Sequence, residues 1–197
     1  MNVAAHEYAH TLSTTPMGFG IAFTDTTDLK PKIADRRHPG TPVASYLIEG
    51  RPSRDYVHTK ALMHNDERLW HAVLDRLADH AITFISAQLS AGARAFQLFD
   101  SWAGALSRAD YERFVLPHST KVFRALAEQH PNAPGIHFGI GCSHLLESMY
   151  SAGTRVMGLD WRTPIDEARQ RLGADTVVQG NLDPALVFAG ESPMLES

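Results

Sequence analysis

From about residue 42 onward, apolar residues recur at two alternating spacings. The longest stretch at helical spacing follows Asn65 and Asp66, either of which can cap a helix, and Gly92 supplies a stop. Short apolar runs that end in Gly, Asp or Asn alternate with such helical stretches. This alternation is typical of β/α units. The first predicted helix has its apolar face at Leu69, Val73, Leu74, Leu77, Ala81, Ile82, Ile85 and Leu89.

Four apolar runs are typical of strands, and small or polar residues end or follow each of them. The runs are Ala95–Phe99, the strand and loop Ile136–Gly141, Arg155–Asp160 and Thr176–Gly180. Helical patterns separate them, so we expect four strand-helix units in a row.

The three helical segments between these strands carry recognisable start and stop signals. Ser107, with an aspartate three residues later, resembles a capping box, and Pro117 predicts a kink or break within the segment that follows. A short helix is predicted over residues 143–151. Thr163 is the predicted N-cap of the next helix, with a proline at its first position, and Gly173 ends it.

Consecutive strands joined through one helix must run parallel, which leaves a doubly wound sheet or a (β/α)8 TIM-barrel type as the α/β architecture. Polar residues follow successive strands at Asp100, Asp160, Asn181 and Asp183. Of these, Asp160 and Asp183 are expected to cap helices or fix loops rather than to act in catalysis. A barrel gathers its site at the carboxyl ends of all its strands, whereas a doubly wound sheet has a site at one switch point. The pattern therefore favours the barrel.

The chain divides into two parts on pattern alone. Residues 1–41 are rich in threonine and proline without a sustained period, which predicts a divergent, loop-like or poorly ordered N-terminal segment. Residues 42–197 hold the β/α units. A complete barrel usually needs about 250 residues, so we expect this one to be incomplete.

Composition narrows the function classes. With 197 residues, 44% hydrophobic and 20% charged, the chain fits one globular domain. A net charge of −4 offers no basic surface for nucleic acid, and no apolar stretch is long enough to cross a membrane. Met1–Leu12 does not have the pattern of a signal peptide, and a single cysteine, Cys142, suits a reducing compartment. We therefore expect a cytoplasmic protein with a small-molecule substrate.

Four ordered motifs resemble the sequences of bacterial uroporphyrinogen decarboxylases. They are Ala44–Gly50, Leu98–Gly104, Val156–Trp161 and Gln179–Pro184. The Ser-Trp-Ala-Gly version of the second motif, together with Val115–His118, is similar to the actinobacterial branch. The resemblance covers the chain from Pro42 to about Ala189.

This resemblance implies a barrel enzyme without a cofactor, usually a homodimer, that converts uroporphyrinogen III to coproporphyrinogen III by stepwise loss of acetate carboxyls. It also implies roles for individual residues. Tyr46 matches a catalytic-site tyrosine near the substrate, Ser101 a serine that contacts a substrate carboxylate, and Phe99 an aromatic residue that packs on the macrocycle.

Other parts of the family pattern have no counterpart here. The early arginine segment that binds substrate carboxylates is absent, as is the Asn-Leu-Gly-His strand that follows the last unit. Phe23-Thr24-Asp25 weakly resembles the strand end that carries the family aspartate, which makes Asp25 a tentative site residue. We expect a chain that lacks too much of the site to work alone.

Two other functions stay open at this point. One is a catalytically inactive remnant that binds a porphyrinogen or a full-length subunit, and in either case an incomplete barrel with open sheet edges is expected to aggregate or to need a partner chain. The other is a zinc- or cobalamin-linked methyltransferase of the same superfamily, for which His137 and Cys142 are the candidate metal ligands. Such sites use more than one thiolate, so we expect no metal.

Overall fold

The computed structural model describes residues 10–12, 21–23, 48–50 and 55–188. Short 3-10 turns lie at Ala103–Ala105, Ser143–Leu145 and Pro184–Phe188. The strands and helices, in chain order, are β1 (His10–Leu12), β2 (Ile21–Phe23), α1 (Val57–Asn65), α2 (Glu67–Ser90), β3 (Phe96–Phe99), α3 (Arg108–Phe114), α4 (Leu116–Gln129), β4 (Gly135–Phe138), α5 (Leu146–Ser151), β5 (Val156–Leu159), α6 (Ile165–Leu172) and β6 (Val177–Gly180).

The main sheet is parallel, and its strands follow one another in chain order. β3 pairs with β4, β4 with β5, and β5 with β6. The register places Phe99 opposite Phe138 and Leu159 opposite Gly180. The four predicted strand-helix units are thus confirmed, and a strand order without reversal is what a barrel wall requires.

A separate antiparallel pair lies in the N-terminal segment. β1 and β2 pair with His10 opposite Phe23. The sequence pattern predicted no regular structure there, because strands of three residues are too short to produce a detectable period.

Helix α2 begins and ends where the sequence predicted. The side chain of Asp66 accepts a hydrogen bond from the amide of Leu69 at 2.9 Å, as an N-cap does. The buried face differs in part from the predicted one, since Leu69 is 48% exposed and Trp70 is fully buried in its place. The preceding helix α1 was not predicted, because it buries only Thr59 and Met63, which is too weak a periodic signal.

Two further boundaries test the start and stop signals. The predicted break at Pro117 is confirmed: α3 ends at Phe114, α4 begins at Leu116, and the proline sits in the first turn of α4. The predicted N-cap at Thr163 is wrong, because Pro164 is the N-cap of α6 and makes no side-chain cap bond. The amide of Thr163 instead donates to the carbonyl of Asp160, so this residue belongs to the turn.

The core lies between the helices and one face of the sheet. Trp70 donates its indole N–H to the carbonyl of Phe114 at 3.0 Å, which joins α2 to the end of α3. In the part of the chain that the structure describes, no helix is both long enough and apolar enough to cross a bilayer. The largest fully buried side chains are those of Trp70, Tyr111, Phe114, Met63, Leu74, Ile85, Leu98, Leu126 and Leu145.

A buried histidine on α4 predicts a loss of stability in mild acid. Nε2 of His118 lies 2.8 Å from Nδ1 of His71, and burial together with His71 lowers the pKa of His118 to about 4. An unfolded histidine binds its proton near pH 6.5, so between these values the unfolded chain holds more protons than the folded one. Stability is therefore expected to fall by about 1–3 kcal/mol as the pH drops from 6.5 towards 4.

Urea unfolding of the full chain at several pH values measures this slope. His118→Asn is expected to flatten it, whereas His58→Asn, at an exposed position, leaves it unchanged. Equal slopes for all three proteins would contradict the assignment.

Candidate active site

The carboxyl ends of the four parallel strands lie at one edge of the sheet, as the sequence predicted. Four turns follow these strands there, at residues 100–104, 139–142, 160–163 and 181–183. We call them the first to fourth turns and the surface they form the turn edge. Parallel β/α folds place their sites at this edge.

The first turn holds Ser101 between two buried anchors. Asp100 is fully buried, and Trp102 is 2% exposed. The ring of Trp102 lies 5.4 Å from that of Tyr56 and 6.4 Å from that of Trp70. Ser101 itself is half-buried, so its place on the turn edge is set by both neighbours.

Phe99 ends β3 beside Ser101, and it is also half-buried. Its ring packs edge-on against Phe138 at 5.7 Å. The two predicted substrate contacts that fall within the described residues thus lie at the same strand end. Of the other predicted site residues, Tyr46 and Asp25 lie outside the described residues.

The first and second turns approach so closely that no side chain fits between them. A Cβ atom on Gly104 would lie 2.5 Å from the carbonyl oxygen of Ile140 and 2.8 Å from that of Gly141. The amide of Asp100 also donates to the carbonyl of Phe138 at 2.6 Å. These contacts make the first two turns one packed unit.

Asp160 ties the second turn to the third. One carboxylate oxygen accepts from the amide of Gly141 at 2.6 Å and from the guanidinium of Arg162 at 3.0 Å, and the other accepts from the amide of Arg162 at 3.1 Å. Arg162 also stacks on the ring of Trp161 at 4.1 Å. The prediction that Asp160 fixes the loop is confirmed by these bonds.

The fourth turn is attached in a similar way. The side-chain amide of Asn181 donates to the carbonyl of Thr163 at 2.9 Å. Asp183 accepts from the amide of Ala185 at 2.9 Å, which makes it a capping residue, as predicted. The four turns are therefore joined in series, and the turn edge is preorganised for a ligand.

His137 and Cys142 do not form a metal-binding pair. Nδ1 of His137 donates to the carbonyl of Met149 at 3.0 Å, and Nε2 faces Asp100 Oδ2 at 3.5 Å. Burial raises the pKa of Cys142, so its thiol stays protonated at neutral pH. Among the described residues no group of three or more His, Cys, Asp or Glu side chains is arranged to hold a metal ion.

The sequence did not indicate the buried partners of the first turn. Asp100 was predicted only as one of several polar residues after strands, and its contact with His137 joins positions 37 residues apart. The contact of Trp102 with Trp70 also joins residues far apart in sequence, so a local pattern does not indicate it. A histidine inside an otherwise apolar strand run was the one available signal.

Comparison with known proteins gives a consistent family match. The family model described as "Uroporphyrinogen decarboxylase (URO-D)" matches residues 40–197. A uroporphyrinogen decarboxylase of Rhodococcus opacus is 56% identical over 150 residues, covering 76% of this chain and 42% of the relative. That of Saccharopolyspora erythraea is 57% identical over 157 residues, covering 75% and 43%. That of Rhodococcus erythropolis is 57% identical over 167 residues, covering 84% and 46%.

These matches decide several of the expectations from sequence. The actinobacterial type and the TIM-barrel fold class are confirmed. The matched family model and these relatives are decarboxylases, which does not favour a methyltransferase. The chain spans less than half the length of the curated relatives it matches.

Proposed function

We propose, because this chain belongs to the uroporphyrinogen decarboxylase (URO-D) family, that it acts in porphyrin biosynthesis on the conversion of uroporphyrinogen III to coproporphyrinogen III. One observation carries the proposal: Phe99, at the end of β3, and Ser101, two residues later on the turn edge, both lie at the same strand end, within the residues that match the family. The reaction removes acetate carboxyls as carbon dioxide and leaves methyl groups.

The chemistry assigns a task to each proposed residue. Loss of carbon dioxide from a pyrrole acetate needs prior protonation of the ring, so that the electrons of the breaking bond have a cationic acceptor. A carboxylate facing the pyrrole N–H groups stabilises that cation. We assign this carboxylate to Asp25, and assign Tyr46 to a place beside it.

The described residues bind and orient the substrate in this proposal. Phe99 packs its ring on the macrocycle, and the Ser101 hydroxyl donates to a peripheral carboxylate. Among the described residues, none forms a hydrogen bond with that hydroxyl, so it is available to a ligand. No step of this scheme needs a cofactor.

Replacing Ser101 tests the binding role. Ser101→Ala is expected to weaken uroporphyrinogen binding about tenfold to a hundredfold, since a hydrogen bond to a charged group contributes roughly 1.5–3 kcal/mol. Isothermal titration of the full chain under anaerobic conditions measures the affinity. Ser90→Ala, on the exposed end of α2, is the matched control and should bind like the unchanged chain. Equal affinities for both variants would rule out a contact through Ser101.

Turnover is tested separately from binding. The chain is mixed with uroporphyrinogen III without oxygen, and the products are separated by their number of carboxyl groups. Loss of carboxyls would establish the decarboxylase activity. Binding without such loss would favour the alternative of a porphyrinogen-binding chain that depends on a second subunit.

The domain division, the oligomeric state and the location of the protein are part of the same proposal. We propose that residues 42–197 form the barrel unit and 1–41 a separate segment, and that the chain works as a homodimer in the cytoplasm, with neither a nucleic acid nor a membrane as partner. The exposed outer strand β6, where Val177 is 57% exposed, supports a need for further covering chain. Sedimentation of a single monomeric species would contradict the dimer.

A further inference from the structure

A group of polar side chains lies directly behind the first turn, sealed from solvent. Asp100, Tyr111, Ser119 and His137 are each 0% exposed, and they come from the end of β3, from α3, from α4 and from β4. We call them the buried polar cluster. Within the described part of the chain, no hydrogen bond satisfies the Asp100 carboxyl oxygens, the Tyr111 and Ser119 hydroxyls or Nε2 of His137. Buried groups in this condition need an explanation.

The hydrogen bond to Met149 fixes which ring nitrogen of His137 carries hydrogen. A carbonyl oxygen only accepts, so Nδ1, at 3.0 Å from it, must be the donor. In a neutral ring, Nε2 is then a bare lone pair. That lone pair faces the Asp100 carboxyl oxygen at 3.5 Å.

Two bare acceptors do not face each other in a buried site, so one proton must lie between Asp100 and His137. It resides either on the carboxyl or on the imidazole. Both forms carry no net charge, but the ionic form places two separate charges where water cannot reach them.

The surroundings favour the neutral form. Burial raises the pKa of the Asp100 carboxyl. The other titratable groups that act on this carboxyl or on its neighbours are Tyr111, Cys142 and Asp160. None of them is a cation, and the ring of Phe123 covers His137 at 5.1 Å between centroids. His137 and Tyr111 both favour the ionised carboxyl, but only His137 could carry a positive charge opposite it, and burial outweighs the two.

We propose that Asp100 is a protonated acid that donates to Nε2 of His137, and that this neutral pair positions Phe99 and Ser101 for the substrate. The assignment of a positioning role rests on the proposed function. The backbone already joins the same two strands, through the Asp100 amide and the Phe138 carbonyl at 2.6 Å. The side-chain pair adds a second link at the residue between Phe99 and Ser101, which fixes the direction in which both leave the strand.

The protonation state can be measured on the full chain without any ligand. Nitrogen-15 NMR of the histidine rings at about pH 7 is expected to show His137 as a neutral ring with hydrogen on Nδ1, since Nδ1 faces the Met149 carbonyl. The signal is assigned by its loss in His137→Gln. A ring protonated on both nitrogens, or a neutral ring with hydrogen on Nε2, would overturn the neutral pair.

Two substitutions at one position test the positioning role. Asp100→Asn keeps an N–H donor towards Nε2, whereas Asp100→Ala leaves that nitrogen unpaired. The Phe99 and Ser101 backbone amide signals are expected to stay in place in the first variant and to move in the second. If both variants move them alike, or neither does, the pair does not position the turn.

Binding then connects the pair to the substrate. Uroporphyrinogen affinity is expected to stay within about threefold for Asp100→Asn and to fall about tenfold or more for Asp100→Ala. Ser119→Ala is the control, because it changes the buried polar cluster at a residue that is not among the groups acting on the Asp100 carboxyl. Failure of the unchanged chain to bind would count against the proposed function alone, since the ring and amide signals report on the pair independently.

Discussion

Gly180→Ala is expected to destabilise the chain by about 3–5 kcal/mol, the combined cost of backbone strain and overpacking. Gly180 has a φ of +117°, which side chains rarely adopt. A Cβ atom there would overlap the carbonyl oxygen of Leu159, its partner across β5 and β6. Because this oxygen belongs to the backbone, the overlap is relieved only by moving one strand from the other. Urea unfolding measures the loss.

Substitution of a second glycine, Gly92, separates the cost of backbone strain from the cost of overpacking. Gly92 has a φ of +110° but nothing within 4 Å of a built Cβ, so Gly92→Ala carries the strain without the overlap. It is expected to cost about 1–3 kcal/mol. Equal losses at the two positions would show that β5 and β6 do not meet as closely as described. Gly180→Ala should also weaken uroporphyrinogen binding, because it displaces the fourth turn.

Asp160→Ala is expected to cost about 2–4 kcal/mol and to weaken uroporphyrinogen binding at the same time. The substitution removes the acceptor of two backbone amides and one guanidinium, at Gly141 and Arg162. These donors are only partly buried, so the loss comes from the hydrogen bonds to a charged group, which contribute about 1.5–3 kcal/mol each. The second and third turns also lose their connection, so the turn edge is no longer preorganised. Unfolding and anaerobic titration of the same preparation measure both effects.

Matched variants distinguish the link that Asp160 forms between the second and third turns from ordinary helix capping. Asp183→Ala removes only the bond to the amide of Ala185, and it should cost about 0.5–2 kcal/mol, the range for an N-cap. Asp160→Asn keeps one acceptor oxygen and should fall between the two. A loss at Asp183 as large as that at Asp160 would contradict a special role for the latter.

The regular elements were predictable because their signals are local. The cap at Asp66 and the break at Pro117 depend on neighbours within one helical turn. The parallel direction of β3 to β6 followed from the helices between them, and no long-range information was needed. Polar residues after these strands were correctly expected to meet at one edge, since parallel strands end there together.

The contacts within the site were not predictable in the same way. Asp160 was expected to fix a loop, but its bond to Gly141 depends on how closely two turns pack. The contact between Asp100 and His137 joins two strands through side chains that face the interior, and a strand pattern does not fix which interior residues touch. The buried face of α2 was also not fully predictable. Leu69 and Trp70 are both apolar, and only tertiary packing decides that Trp70 is the one buried.

Roles for single residues came from the family resemblance. Nothing in periodicity marks Ser101 as more than a turn residue or Phe99 as more than the end of a strand. The structure adds that Phe99 ends β3 and Ser101 lies in the turn that follows, on either side of the buried Asp100. For Tyr46 and Asp25, which lie outside the described residues, the assigned roles stay predictions.

The central claim is that the turn edge binds uroporphyrinogen, and a thermal melt of the purified full chain with and without this compound tests it most directly. A ligand that binds only the folded state raises the midpoint by mass action, by about 2.7 kcal/mol of stability at a hundredfold excess over the dissociation constant. We predict one cooperative transition that moves upward with uroporphyrinogen concentration. A broad transition that does not respond to the compound would contradict the claim.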